Sequence, residues 1–259
     1  MVSPYLKNKG SAVRFCLWPQ KILIRKLITN MKNFIKSQHK IHKFLLDTIE
    51  TLRIIYNTKR RSRFFWTLRK GDETLSLQYP LDNDSIVFDV GAYTGQFTEK
   101  IFLKFNCNVY AFEPIKNFAD ILNNKFENHQ KVKILNFGLL DENKEIKISN
   151  LGAGSSIFAR NEGEAQDLVE FRSFIEFINN NSIKKVHLLY MNIEGSEYQL
   201  MKHIIETSFI KNIDHIQIQF HNYVDGSKKL RNQIREELKK THKCKFNFPF
   251  IWERWDRII

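Results

Sequence analysis

From residue 80 onward, short apolar runs of strand period alternate with longer stretches of helical spacing. Ile86 to Val90 is rich in β-branched residues and bounded by Asp84 and Gly91, so it reads as a buried strand. Val109 to Phe112 is a second apolar strand, closed by Glu113 and Pro114. Phe118, Ile121, Leu122 and Phe126 mark the inward face of a helix over 115–127. A third strand is expected over 131–137, a turn over 138–143 and a short strand over 145–149. Phe171, Phe174, Ile175 and Ile178 mark a helix before a fourth strand at 186–192, and Leu200, Ile204 and Ile205 mark the helix after it. A fifth strand over 214–221, a charged helix over about 228–241 and a terminal hairpin from Lys243 complete the pattern. This alternation predicts an open, mostly parallel sheet with helices on both faces.

The first 75 residues follow a different pattern. Ile24, Leu27, Ile28, Met31 and Ile35, then Ile41, Phe44, Leu45, Ile49 and Leu52, are spaced for one or two amphipathic helices, unbroken by Pro or Gly between Pro19 and Gly71. An extension over 1–75 and a second domain over 76–259 are therefore expected. Charge sharpens that division. The chain carries a formal net charge of +13. Residues 1–70 hold 17 Lys and Arg against Asp47 and Glu50, and the remainder holds 24 against 26 acids. The extension is thus either a helical cap with a solvated basic side or a helix lying on an anionic membrane surface, with nucleic acid a weaker partner class. Its apolar runs are too short for a secretory core or a membrane span. Cys16, Cys107 and Cys244 form no metal-like spacing and no even disulfide set, which points to a reduced cytoplasmic compartment, peripheral to the inner membrane face if the basic helices dock there.

The candidate chemistry lies at the strand ends. Gly91 allows a tight turn and close approach of ligand atoms, and Gly95 does the same where a helix begins and its free N–H groups favour an anion. Asp89 either holds a ligand amino group or orders the turn, and Tyr93 lies within that turn. Glu113, 22 residues after Gly91, stands where a carboxylate can accept both hydroxyls of a ribose. A ligand with an amino-acid end and a ribose end, S-adenosylmethionine, suits this arrangement. The Asp-x-Gly-x-x-x-Gly spacing differs from the Gly-x-Gly-x-x-Gly of dinucleotide folds, which disfavours an NAD-dependent oxidoreductase.

A later segment, Asn192-Ile-Glu-Gly-Ser-Glu197, closes the fourth strand, and Gln217-Ile-Gln-Phe-His-Asn222 closes the fifth. Together with Asp89-Val-Gly-Ala-Tyr-Thr-Gly95 and Ala111-Phe-Glu-Pro114, they make the chain resemble the FkbM family of S-adenosylmethionine-dependent methyltransferases over roughly residues 80–225. The aromatic tail Phe248-Pro-Phe-Ile-Trp-Glu-Arg-Trp255 strengthens the likeness. The resemblance implies an α/β class I methyltransferase (Rossmann-like) fold, a mostly parallel seven-stranded sheet with the last strand inserted antiparallel. It implies S-adenosylmethionine as cofactor and methyl transfer to a hydroxyl of a glycan or small metabolite. It also places Gly138 beside the adenine. Tyr190 and Asn192 depart from the family, which often has Lys and Asp there, and a carboxamide takes up no proton at neutral pH.

Candidate catalytic groups follow from position at the strand ends. His221, which titrates near neutrality, is either the base or a structural histidine. Glu194 is either base, metal or substrate ligand, or the organiser of the Gly195 turn, and Glu197 is expected as a helix N-terminal charge. Asn192 and Ser155, the latter in a Gly- and Ser-rich segment over 151–156, are candidates to line the acceptor pocket. No set of His, Cys, Asp and Glu has spacing specific for a metal. Two other classes remain. A non-catalytic scaffold keeps the fold but not the reaction. A nucleic-acid methyltransferase is disfavoured by the missing Asn/Asp-Pro-Pro-aromatic loop, by the lack of a cysteine nucleophile near residue 192 and by the near-neutral second domain.

Overall fold

The computed structural model describes residues 26–31, 48–52, 56–149 and 166–258. Two compact units divide at Asn57 and Thr58. In the first, residues 26–31 and 48–52 are helical. The rest of the expected amphipathic helices, Cys16 and the 151–156 segment with Ser155 lie outside the described residues.

The second unit opens with helix α1 (Thr58–Leu68), which buries Ser62 and Trp66 one turn apart. Trp66 packs against Phe246, Phe248 and Trp252, and its indole N–H donates to Asp72 Oδ1 at 3.1 Å. Then follow β1 (Ile86–Val90), α2 (Gln96–Phe105), β2 (Asn108–Phe112), α3 (Lys116–Phe126) and β3 (Val132–Leu135). Strands β4 (Gly138–Leu140), β5 (Lys144–Ser149) and β6 (Gln166–Ser173) precede α4 (Phe174–Asn180) and β7 (Val186–Met191). The chain ends with α5 (Glu197–Glu206), β8 (Ile213–Ile218), α6 (Ser227–Leu238), β9 (His242–Phe248) and β10 (Trp252–Arg257).

Seven strands form one sheet in the order β3-β2-β1-β7-β8-β10-β9. β3, β2, β1, β7 and β8 are parallel, and β10 inserts antiparallel between β8 and β9. This is the expected class I methyltransferase plan. Strand alternation splits the core in two. Phe88, Val90, Phe112, Leu189 and Met191 face one cluster with residues of α4 and α5, while Val87, Val109, Ala111 and Leu188 face another with Ile101 and Leu122. A wholly buried side chain such as Phe88 contributes about 1.5–3 kcal/mol.

Two expectations change. Residues 138–140, expected as a turn, form β4, which pairs parallel with β6 in a separate sheet of order β4-β6-β5. Phe171, expected on a helix, belongs to β6. Val169, Phe171 and Ser173 are buried between exposed Leu168, Glu170 and Arg172, so period two prevails there over the coincidental helical spacing of Phe171 and Phe174. No helix among the described residues is long and apolar enough to cross a membrane.

Candidate functional site

The parallel strands deliver their carboxyl ends to one edge of the sheet, where β1, β2, β7 and β8 each end in a turn. After β1, the N–H groups of Gly91 and Ala92 both donate to the Phe112 carbonyl, at 3.0 and 3.1 Å, which hangs the turn on the end of β2. Gly91 has φ +87°, and a Cβ there would stand 2.2 Å from the Asn192 carbonyl oxygen. The close approach of the turn after β7 therefore demands glycine. Glu113, buried just past β2, accepts from the Tyr93 N–H at 2.8 Å and the Ile115 N–H at 3.0 Å. Tyr93 itself sits at φ +51°, with its ring edge-on to Phe118. At Gly95 a Cβ would meet Leu122 and Phe126 at 2.6 and 2.9 Å, so packing of α2 on α3 fixes that glycine. Gly138 opens β4, and its hydrogen is all that fits against the Phe171 ring, 2.4 Å from where a Cβ would lie.

Asp89 is buried, and its Oδ2 accepts from the Thr98 hydroxyl at 2.5 Å. Burial pushes its carboxyl up to about 7, with the Glu113 charge adding and Thr98 opposing. Burial likewise raises Glu113, against the two backbone donors. Asp89 Oδ1 and Asn192 Oδ1 are both buried and accept nothing from the described residues. Buried acceptors without donors are costly. The Asn192 backbone N–H donates to the Val90 carbonyl at 3.0 Å, so Asn192 stands directly beside the glycine turn. Tyr190 stacks on Phe97 with centroids 3.6 Å apart and packs against Trp252 at 4.6 Å. That aromatic pile ties α2 to the terminal hairpin, a packing role that a lysine would not fill.

Past β7 and β8 lies a second cluster. Glu197, wholly buried, accepts from the Ile193 N–H at 2.9 Å through Oε1 and from the Gly195 N–H at 3.0 Å through Oε2. It closes a turn in which Glu194 has φ +48° and Gly195 +102°. His221 is buried between two carboxylates, with Nδ1 2.8 Å from Glu197 Oε1 and Nε2 3.3 Å from Glu194 Oε2. The Tyr198 hydroxyl donates to the His221 carbonyl at 2.7 Å. Burial alone would lower the imidazole, but the two carboxylates outweigh it and raise it to about 9. With a carboxylate at each ring nitrogen, the site favours the protonated imidazole, which has no lone pair free to take a proton. Glu194 also accepts from the Tyr223 hydroxyl at 2.9 Å. Burial would raise its carboxyl, yet His221, Tyr223 and Lys59 together hold it below the ordinary range. Lys59, on α1, donates to Asn222 Oδ1 at 3.4 Å.

The profile described as the FkbM domain of methyltransferases matches residues 89–248, which takes in both clusters. The chain belongs to the FkbM methyltransferase family. Its methyl donor is S-adenosylmethionine. No curated protein matches the chain. Among solved structures, it is similar to the FkbM methyltransferase from Methylobacillus flagellatus KT. Identity there is 14%, the TM-score 0.47, and coverage 69% of this chain and 45% of that one. An rRNA methylase from Streptococcus thermophilus is 12% identical, at a TM-score of 0.42 over 69% of this chain and 90% of that one. Aeropyrum pernix fibrillarin, crystallised with natively bound S-adenosylmethionine, is 11% identical at 0.41 over 73% and 74%. All three are remote, and the family assignment rests on the domain match.

The residues of this FkbM methyltransferase fit the donor. Two buried acceptors at adjacent strand ends suit a ligand that brings N–H donors, and Glu113 keeps lone pairs beyond those its two backbone donors use. Sequence reasoning missed Thr98, which holds Asp89, and Tyr223, which holds Glu194. Glu197 does stand in the first turn of α5, as expected, but its hydrogen bonds to the turn and its contact with His221 were missed. The signal for Glu197 was its place two residues after a glycine, where its carboxylate reaches back to the turn N–H groups. Among the described residues no group of three or more His, Cys, Asp or Glu is arranged to hold a metal.

Proposed function

We propose that this methyltransferase transfers a methyl group to a hydroxyl of a glycan or other small metabolite. When bound, S-adenosylmethionine supplies a methyl already activated by its sulfonium. In this reading Asp89 and Asn192 hold the donor's amino group, and Glu113 holds its ribose hydroxyls. Gly91, Tyr93 and Gly95 shape the turn beneath it, with Gly138 beside the adenine.

The observation that carries the acceptor reading is the anchored carboxylate of Glu194. Its side chain is 20% exposed, ionised, and oriented by His221 and Tyr223 at the end of β7. It accepts the acceptor's hydroxyl proton and aims the oxygen lone pair along the transfer axis, and alignment is most of what this displacement needs. His221 acts through Glu194 as a fixed positive partner, so the role of base passes from His221 to Glu194. Nucleic acid is not part of this reading, because residues 71–259 are near neutral, with 24 cations against 26 acids. The protein works in the cytoplasm, and its basic first 70 residues draw it to the anionic inner membrane face.

Calorimetric titration with S-adenosylmethionine and S-adenosylhomocysteine comes first, followed by labelled-methyl transfer to sugar-nucleotide and lipid-linked glycan acceptors. Binding of both ligands and label on a sugar oxygen are expected. No binding by folded protein would favour a non-catalytic scaffold, and label on RNA alone would overturn the hydroxyl-metabolite reading.

A further inference from the structure

Helix α1 has one side with exposed apolar residues. Phe64, Phe65 and Leu68 are 46%, 44% and 67% exposed, while Ser62 and Trp66 on the opposite side are buried. The Phe64 and Phe65 rings meet edge to face, 5.5 Å apart, as one patch. The helix and its end also carry Arg60, Arg61, Arg63 and Lys70, all exposed, and residues 58–71 contain no acid. A solvated face of a basic helix has no use for three large apolar side chains, and a protein core has no use for the cations. Both are satisfied at the boundary between lipid headgroups and acyl chains.

We propose that α1 docks on an anionic bilayer, with Phe64, Phe65 and Leu68 in the headgroup boundary and the exposed Arg60, Arg61, Arg63 and Lys70 against the lipid phosphates. The inference rests on the membrane reading above and narrows it to one side of one helix. RNA would satisfy the cations and stack on the phenyl rings, but it gives Leu68 nothing, so lipid is the better match. The placement has a consequence for the reaction. Lys59, on the packed side of the same helix, reaches Asn222 and acts on the Glu194 carboxyl. The acceptor side of the site therefore lies about one helix diameter, roughly 10–12 Å, from the docked surface. A hydroxyl on a lipid-linked headgroup is within that reach.

The test uses the full chain and vesicles of phosphatidylcholine with or without phosphatidylglycerol. Wild type should co-float with the anionic vesicles at low salt and be released at high salt. The Phe64→Ser/Phe65→Ser/Leu68→Ser variant should lose vesicle partitioning by about tenfold or more, with S-adenosylhomocysteine binding intact. A Phe65→Trp variant should shift its emission to the blue on anionic vesicles and be quenched by brominated lipid. If wild type fails to float, the membrane reading falls with the proposal. If the triple variant floats like wild type, the proposal falls while membrane binding through other residues stands. Tighter retention on single-stranded RNA, unchanged in the triple variant, would also overturn it.

Discussion

On the glycine-turn side of the site, Asp89 Oδ1 and Asn192 Oδ1 are buried and accept nothing from the described residues. On the histidine side, Glu197, His221, Glu194 and Tyr223 satisfy one another through contacts of 2.8–3.3 Å. A side that lacks donors is built to receive them from a ligand, at some cost to the folded chain. A side that closes its own hydrogen bonds is built to hold its shape. The difference separates residues expected to govern affinity from residues expected to govern stability, although both sets lie at one edge of one sheet.

The largest effect should come from removing Glu197. Glu197→Ala takes away the acceptor for two turn N–H groups and leaves His221 buried beside a single carboxylate. A loss of about 3–5 kcal/mol in unfolding free energy is expected from urea denaturation. If the variant is as stable as wild type, the histidine side is not the rigid half and the comparison fails.

The next effect is read by pH. His221 has its folded pKa raised from 6.5 to about 9, so its stabilising contribution is fully present below 6.5 and is lost as pH rises through 9. The loss amounts to at most about 3 kcal/mol. Unfolding free energy measured from neutral to alkaline pH should fall over that window in wild type and not in His221→Gln. An identical alkaline profile in the variant would show that the imidazole is not held as a cation.

Asp89 tests the other side and should move in the opposite direction for stability. Its folded pKa is raised to about 7, so the cost of burying its charge grows as pH rises from 3.8 through 7. Asp89→Asn should weaken S-adenosylhomocysteine binding by about 1–3 kcal/mol and make the ligand-free protein more stable than wild type above neutral pH. Calorimetry and thermal unfolding read the two effects separately. A variant that loses both affinity and stability would make Asp89 an organiser of the turn instead.

The two sides also differ in how far the sequence discloses them. The glycine turn is local: Asp89, Gly91, Tyr93 and Gly95 span seven residues, and Glu113 and Asn192 join them from outside. Its shape follows from strand period and glycine conformation, so spacing alone revealed it. The histidine side is assembled by pairing β7 with β8, which brings His221 to Glu197 across 24 residues of sequence. Which side chain meets which carboxylate depends on where β8 stops, at Ile218 and not His221, and no periodicity encodes that. The missed sheet of β4, β5 and β6 has the same cause. Its β4 strand is only three residues long, and Phe171 obeys both periods until β6 is paired with its neighbours.

Tyr223 gives the smallest and most discriminating effect, because it touches the histidine side at the one carboxylate assigned to the acceptor. Its hydroxyl donates to Glu194 and helps hold that carboxyl below the ordinary 4.5. A depressed carboxyl contributes stability that is present above 4.5 and lost as pH falls through the folded value. Tyr223→Phe removes that donor at a half-exposed site, so unfolding free energy at neutral pH should drop by less than about 1 kcal/mol. The Glu194 carboxyl should titrate higher in the variant, as followed by carbon-detected NMR, while S-adenosylhomocysteine affinity stays the same. If turnover with an identified acceptor falls and its apparent affinity does not, Tyr223 positions Glu194 for the transfer step. A weaker cofactor affinity would instead couple the two sides, and the division between a ligand-receiving half and a self-satisfied half would no longer hold.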